Sequence, residues 1–152
     1  MRLWHQKLIH HLDDKRLLSQ HRECCALRGK GWGRKHRVVD YVFKYNLMKL
    51  YTYHRYVMTE LKQRNFKFDH TWYNQLYRGK SLGFDLASNI GTFTYQPFLI
   101  NDSGKIQFQY IYEEHDDKYL KECLLNLKAK GAKLINGYSI DAKLIELELK
   151  GI

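Results

Sequence analysis

Proline occurs once in 152 residues and cysteine three times. No stretch stays apolar for the roughly eighteen residues that a bilayer crossing needs. Each scarcity excludes a class. A single proline, with 44% hydrophobic and 28% charged residues, excludes a disordered chain and leaves a globular one long enough to bury a core. Three is an odd number of cysteines, and a disulfide between the adjacent Cys24 and Cys25 would be strained. Free thiols in a reducing cytoplasm are therefore expected. Lys7, His10, His11, Asp13 and Asp14 interrupt the apolar residues at the start, so no secretory signal is read there, and neither a membrane nor a secreted protein is expected. The chain also lacks a P-loop, a dinucleotide fingerprint and a nucleophile elbow.

What it has in excess is positive charge. The formal net charge is +10, unevenly spread: residues 1–80 carry +12 and residues 81–152 carry −2. A basic half joined to a nearly neutral one points to a polyanion site in the first eighty residues, with nucleic acid as the leading partner.

Three stretches carry a helical period. The first runs from Asp13 or Asp14 to about Leu27, with either aspartate as cap and Gly29 as stop. The second spans about Leu47 to Arg64, where Leu47, Leu50, Tyr51, His54, Val57, Met58 and Leu61 follow i, i+3, i+4, i+7. The third spans about Asp116 to Lys130, with Leu120, Cys123, Leu124 and Leu127 as its stripe and Gly131 beyond it. Between the second and third the period changes to two. Thr92 to Ile100 and Lys105 to Tyr112 alternate around the turn Asn101-Asp-Ser-Gly104, which predicts a β-hairpin. The turn signal Asn136-Gly137 and the alternation Ile145, Leu147, Leu149 predict a further strand in the tail. One domain over 1–152 is the economical reading: a basic nucleic-acid-binding and catalytic half at 1–80, a hairpin insertion at 81–112, and a third helix and tail at 113–152.

Chemistry-bearing residues cluster near the first helix. Arg28, Lys30, Arg34, Lys35 and Arg37 surround a loop with glycines at 29, 31 and 33 and Trp32 at its tip. Cations suit phosphates and an aromatic face suits a base; a solvated basic turn has the same composition. Glu23 is the one acidic residue between Asp14 and Asp40. It is either a general acid or base, or half of a surface ion pair. His21 with Cys24 or Cys25 has one turn of ligand spacing, but no second Cys/His pair follows, so no metal site is expected.

Taken in order, these residues resemble the pyrimidine-dimer DNA glycosylase family of the endonuclease V type. Met1-Arg2-Leu3 resembles the family's short basic N-terminal strand. Gln20-His21-Arg22-Glu23 resembles its polar-aromatic-Arg-Glu element, and Arg34-Lys35-His36 its Arg-Lys-His. Lys49 to Asp69 is similar to the second helix and its exit, Tyr77-Arg78-Gly79 to an aromatic-Arg-Gly turn, and Tyr112-Glu-Glu-His115 to the approach to the third helix. The match is closer still to a short bacterial branch that opens Met-Arg-Leu-Trp-His. The sequence departs from the family at Met1, where a smaller residue is usual, at Ala26, where an arginine is usual, and at the C-terminus, which lacks the aromatic tail.

The resemblance implies a mainly α, compact three-helix domain with a small β-hairpin or sheet added in the second half. It implies a glycosylase with AP-lyase activity that excises damaged pyrimidines from double-stranded DNA. The α-amine of Met1 would attack the sugar C1′ and form a Schiff base, and β-elimination would follow. Such an amine titrates at about pH 8, so part of it is nucleophilic at cellular pH. Glu23 would steady the sugar cation and move protons. Arg22 and Arg2 would grip the phosphates or the lesion. Arg28, Lys30, Trp32, Arg34, Lys35, His36, Arg37, Arg78 and Lys80 would contact the nucleic acid. No cofactor and no obligatory protein partner are implied, and the protein would be cytoplasmic, on the nucleoid when bound to DNA. Two alternatives stand beside this: a non-catalytic DNA- or RNA-binding module on the same fold, and an interaction protein whose basic half meets an acidic partner.

Overall fold

A computed structural model describes residues 2–35 and 38–152. Residues 2–5 lead into a 3-10 turn at Gln6–His11, then helix α1 (Asp14–Arg28). A short 3-10 turn at Asp40–Lys44 precedes α2 (Leu47–Gln63). Another at His70–Tyr73 is followed by a short α3 (Ala87–Ile90), a hairpin of β1 (Phe98–Ile100) and β2 (Ile106–Phe108), then α4 (Asp117–Ala129) and α5 (Ile140–Leu149). The architecture is thus mainly α with one small antiparallel addition, as the sequence predicted.

The three expected helices begin and end where local chemistry directs. Asp13, Asn46 and Asp116 accept hydrogen bonds from the backbone N–H groups of Arg16, Lys49 and Tyr119, satisfying donors that a helix start leaves open. α1 and α2 pack together, burying Leu17, Cys24 and Leu27 against Leu50, Tyr53, Val57 and Leu61. Leu3, Leu8 and Leu12 from the N-terminal segment and Leu120, Cys123, Leu124 and Leu127 from α4 complete the core. Burying a leucine of this kind stabilises by roughly 1.5–3 kcal/mol.

Three expectations change. The tail predicted as a strand is helix α5, capped by Ser139 Oγ, which accepts from Ala142 N–H at 3.2 Å. Its core-facing positions are Ile140, Leu144 and Leu147, a spacing of i, i+4, i+7, while Ile145 and Leu149 are exposed. Positions 145, 147 and 149 taken alone suggest period two, but they belong to a ten-residue segment in which seven residues are the good helix formers Leu, Glu, Lys and Ala, with Ile140, Asp141 and Ile145 beside them. The hairpin is shorter than 92–112: the register is Phe98↔Phe108, Leu99↔Gln107, Ile100↔Ile106. Alternation fails beyond it because Ile111 and Tyr112 are both buried. Residues 2–5 are not paired as a strand; side chains hold them instead.

Candidate active site

Those side chains position the start of the chain. Gln20, on α1, accepts from Trp4 N–H at 2.7 Å through Oε1 and donates to the Arg2 carbonyl at 2.9 Å through Nε2. Tyr53 Oη lies 2.6 Å from the Trp4 carbonyl and 2.8 Å from Gln20 Oε1. Tyr119 Oη donates to the Leu3 carbonyl. One buried amide therefore grips the chain on both sides of Leu3. Glu23 lies three residues further along α1, on the same face.

Here the surface opens into a cleft of about 320 Å³. Glu23, itself only 7% exposed, lines it with Arg2, Gln20, Ser19 and Arg16. Lys15 and Lys130 complete its positive rim, and Val38 and Asn126 its far wall. Arg16 pairs with Asp13 at 2.8 Å and Arg2 with Glu122 at 3.3 Å. The Arg2 guanidinium and the Lys130 ammonium each lie 5.6 Å from the Trp4 ring centre, within cation–π range. A carboxylate ringed by cations, at a cleft where the chain's first residues are clamped, can shuttle protons and steady a developing cation beside a bound polyanion. Met1 lies outside the described residues.

Sequence reasoning missed part of this cleft. Arg16 is not singled out by it, and Gln20 is given no role; with Glu23 they fall at i, i+4, i+7, a helical spacing that ties both to that carboxylate. Asn126 and Lys130 come from α4 and its C-terminal end, and nothing near Glu23 in the sequence points to them.

The remaining expected contacts divide. Arg22, Lys30, Arg34, Lys35 and Lys80 are exposed. The Arg22 guanidinium donates to Ser19 Oγ at 3.3 Å. His36 and Arg37 lie outside the described residues. The glycines shape the loop as expected: a Cβ on Gly31 would meet the Ala26 carbonyl at 2.7 Å, and Gly33 has φ +79°. Trp32 is not a free tip; it is half-buried, edge-on to Phe43 with ring centres 5.1 Å apart.

Arg28 and Arg78 are both engaged within the protein. Arg28 is 2% exposed. Its Nη1 donates to His54 Nδ1 and the Trp72 carbonyl, each at 2.9 Å, and its Nη2 to the carbonyls of Asn74 and Tyr77 at 3.0 and 3.1 Å. The guanidinium also stacks within 5.0 Å of the Tyr51 and Trp72 ring centres. Burial pulls its pKa down to about 10, which still leaves it charged at neutral pH. With all four Nη hydrogens engaged inside the protein, it is a strut and not a phosphate contact. Arg78 donates to the carbonyls of Arg28 and Gly29 at 2.9 and 3.3 Å and pairs with Asp85 at 3.0 Å, bracing the C-terminal end of α1.

His21, Cys25 and His54 bring three ligand-type atoms within 4.8 Å of one another. The hydrogen bonds, however, occupy the nitrogens. Because Arg28 donates into His54 Nδ1, the proton of neutral His54 sits on Nε2 and is given to His21 Nδ1 at 2.8 Å. Burial pushes the Cys25 thiol up to about 12, so it stays protonated. In this arrangement the trio is a hydrogen-bonded chain.

The fold and the cleft describe a basic, mainly helical protein with one carboxylate set among cations beside its clamped N-terminal segment. Residues 1–74 match the family model described as pyrimidine dimer DNA glycosylase. Over those residues, just under half of its length, the chain is similar to that family, and they carry α1, α2 and all of the cleft except Asn126 and Lys130. Comparison with curated proteins and with solved structures returns no match. No helix of the described residues is long and apolar enough to cross a membrane.

Proposed function

We propose that the protein removes damaged pyrimidines from double-stranded DNA and cuts the strand at the resulting site, using the α-amine of Met1 as nucleophile and Glu23 as the proton-transferring carboxylate. The observation that carries this reading is the Gln20 clamp. It holds Arg2 and Trp4 against α1 on the face that bears Glu23, and both residues line the same cleft as that carboxylate. The amine attacks the sugar C1′ as the glycosidic bond breaks. Loss of the amine protons and opening of the sugar ring give an imine. Glu23 accepts and returns protons through these steps, and β-elimination then expels the 3′ phosphate. Arg22 and the exposed cations Lys30, Arg34, Lys35 and Lys80 hold the DNA backbone, and the damaged nucleotide leaves the stack to reach the cleft. The amine and the carboxylate suffice for this scheme, which draws on no cofactor.

The test is borohydride trapping on duplexes carrying a cyclobutane dimer or an abasic site. A covalent adduct mapping to Met1 is expected on both. Glu23→Gln should lower strand cleavage by at least about 100-fold while leaving DNA binding intact. An extra residue before Met1 should abolish cleavage. Tight, salt-sensitive binding without adduct or cleavage on either duplex would leave a non-catalytic module in place of an enzyme.

A further inference from the structure

The second half of the chain carries the opposite kind of surface. Phe98, Leu99, Ile100, Ile106 and Phe108, all on β1 and β2, are between 40% and 76% exposed. Together they bare on the order of 500 Å² of apolar side chain, near the upper limit that a monomer leaves uncovered. Among the described residues no further strand pairs with either outer edge of the two-stranded ladder. Beside it runs an apolar groove of about 580 Å³, walled by Ile9 and His10, by Tyr56 and Thr59 of α2, and by Phe108 and Tyr110. Phe108 belongs to both features, so an apolar knob and an apolar hole adjoin on one face.

We propose that this face joins two copies of the chain, each hairpin entering the groove of its partner about a two-fold axis. Three observations select a second copy as occupant. A knob and a hole that adjoin on one face are both filled by a single two-fold rotation, which closes the assembly. The area fits: a stable dimer buries about 800 Å² on each partner, and the hairpin plus the groove walls is of that order. The charge fits as well. Between Pro97 and Tyr110 the charged residues are Asp102 and Lys105, which cancel. The hairpin's one cation gives phosphate little to hold, so DNA is a poor occupant, while a neutral hairpin can approach a groove lined by both Lys7 and Glu60 without like-charge repulsion. The arrangement leaves the basic half of each copy free.

Sedimentation velocity on the full chain without DNA tests this independently of the excision chemistry. A concentration-dependent species of twice 18.3 kDa is expected, favoured by added salt because the +10 charge of each copy is then screened. Replacing two exposed isoleucines, in the double variant Ile100→Ser with Ile106→Ser, should raise the dimer dissociation constant at least about tenfold without changing the monomer's fold. Thr59→Arg, in the groove and away from the hairpin, should do the same. The proposal is overturned if the wild type stays monomeric at every concentration and salt. It also fails if Thr59→Arg leaves the dimer intact while the hairpin variant breaks it, since strand-edge pairing would then join the copies. Loss of DNA affinity in the hairpin variant, with no change in association, would overturn it too and assign the hairpin to DNA.

Discussion

Helix α1 presents two polar faces with the same spacing and opposite fates. Arg16, Gln20 and Glu23 stand at i, i+4, i+7; so do His21, Cys25 and Arg28. The second set is closed over by His54 of α2 and by residues 72–77, and every Arg28 Nη hydrogen ends on an internal acceptor. The first set opens on the cleft, with Gln20 committed to the backbone of Arg2 and Trp4. The closed face holds the protein together; the open face is where a substrate can meet a carboxylate. Residue type does not separate them. What does is whether neighbouring elements consume the donors and acceptors.

Charging the closed face should break it, and with the largest effect on stability. Burial first, and the nearby Arg22 and Arg28 charges second, lower the His21 pKa to about 4. Burial, then Arg28 and His21, hold His54 well below the ordinary value near 6.5. His5, lowered to about 4 by burial, and His115 behave alike. Each folded pKa lies below its unfolded one, so folding favours the neutral imidazole. The contribution is intact above pH 6.5 and erodes as pH falls from 6.5 towards 4, by up to roughly 1.4 kcal/mol per pH unit for each group. Urea midpoints should therefore drop steeply below pH 6.5; a flat profile down to about pH 4.5 would mean that these imidazoles are not buried neutral. The next largest effect is Arg28→Ala. It strands His54 Nδ1 and three carbonyls, at a cost of about 3–5 kcal/mol in urea unfolding. A cost under about 1 kcal/mol would return Arg28 to the surface and to DNA.

How far the sequence reveals this division depends on how local the causes are. Helices α1, α2 and α4 are legible to within a residue or two because their stripes, the caps Asp13 and Asp116 and the stops Gly29 and Gly131 lie inside or beside the segments. Helix α5 is misread because its burial is set by packing on α4, which its own pattern does not disclose. Arg28 looks like one more cation of the loop because its carbonyl acceptors lie 44 to 49 residues away in sequence. Glu23 stands out for a local reason, its isolation among bases, while Lys130 shares the cleft by folding alone.

The smallest effect on stability, and a sharp one on binding, is expected where cations remain exposed. Lys30, Arg34 and Lys35 follow the end of α1 at the surface, whereas Arg28 and Arg78, equally basic in composition, are engaged inside. Replacing Lys30, Arg34 and Lys35 with alanine together should shift unfolding by no more than about 0.5 kcal/mol. If each neutralises one phosphate, the slope of log binding constant against log salt should become shallower by about three, at about 0.9 for each phosphate no longer neutralised. Binding to damaged and undamaged duplexes should weaken alike, because phosphate contacts carry no sequence or lesion information. Titrations from about 50 to 200 mM salt would read this directly. An unchanged slope would make the loop a solvated turn and move the polyanion site to the cleft rim of Lys15, Arg16 and Lys130.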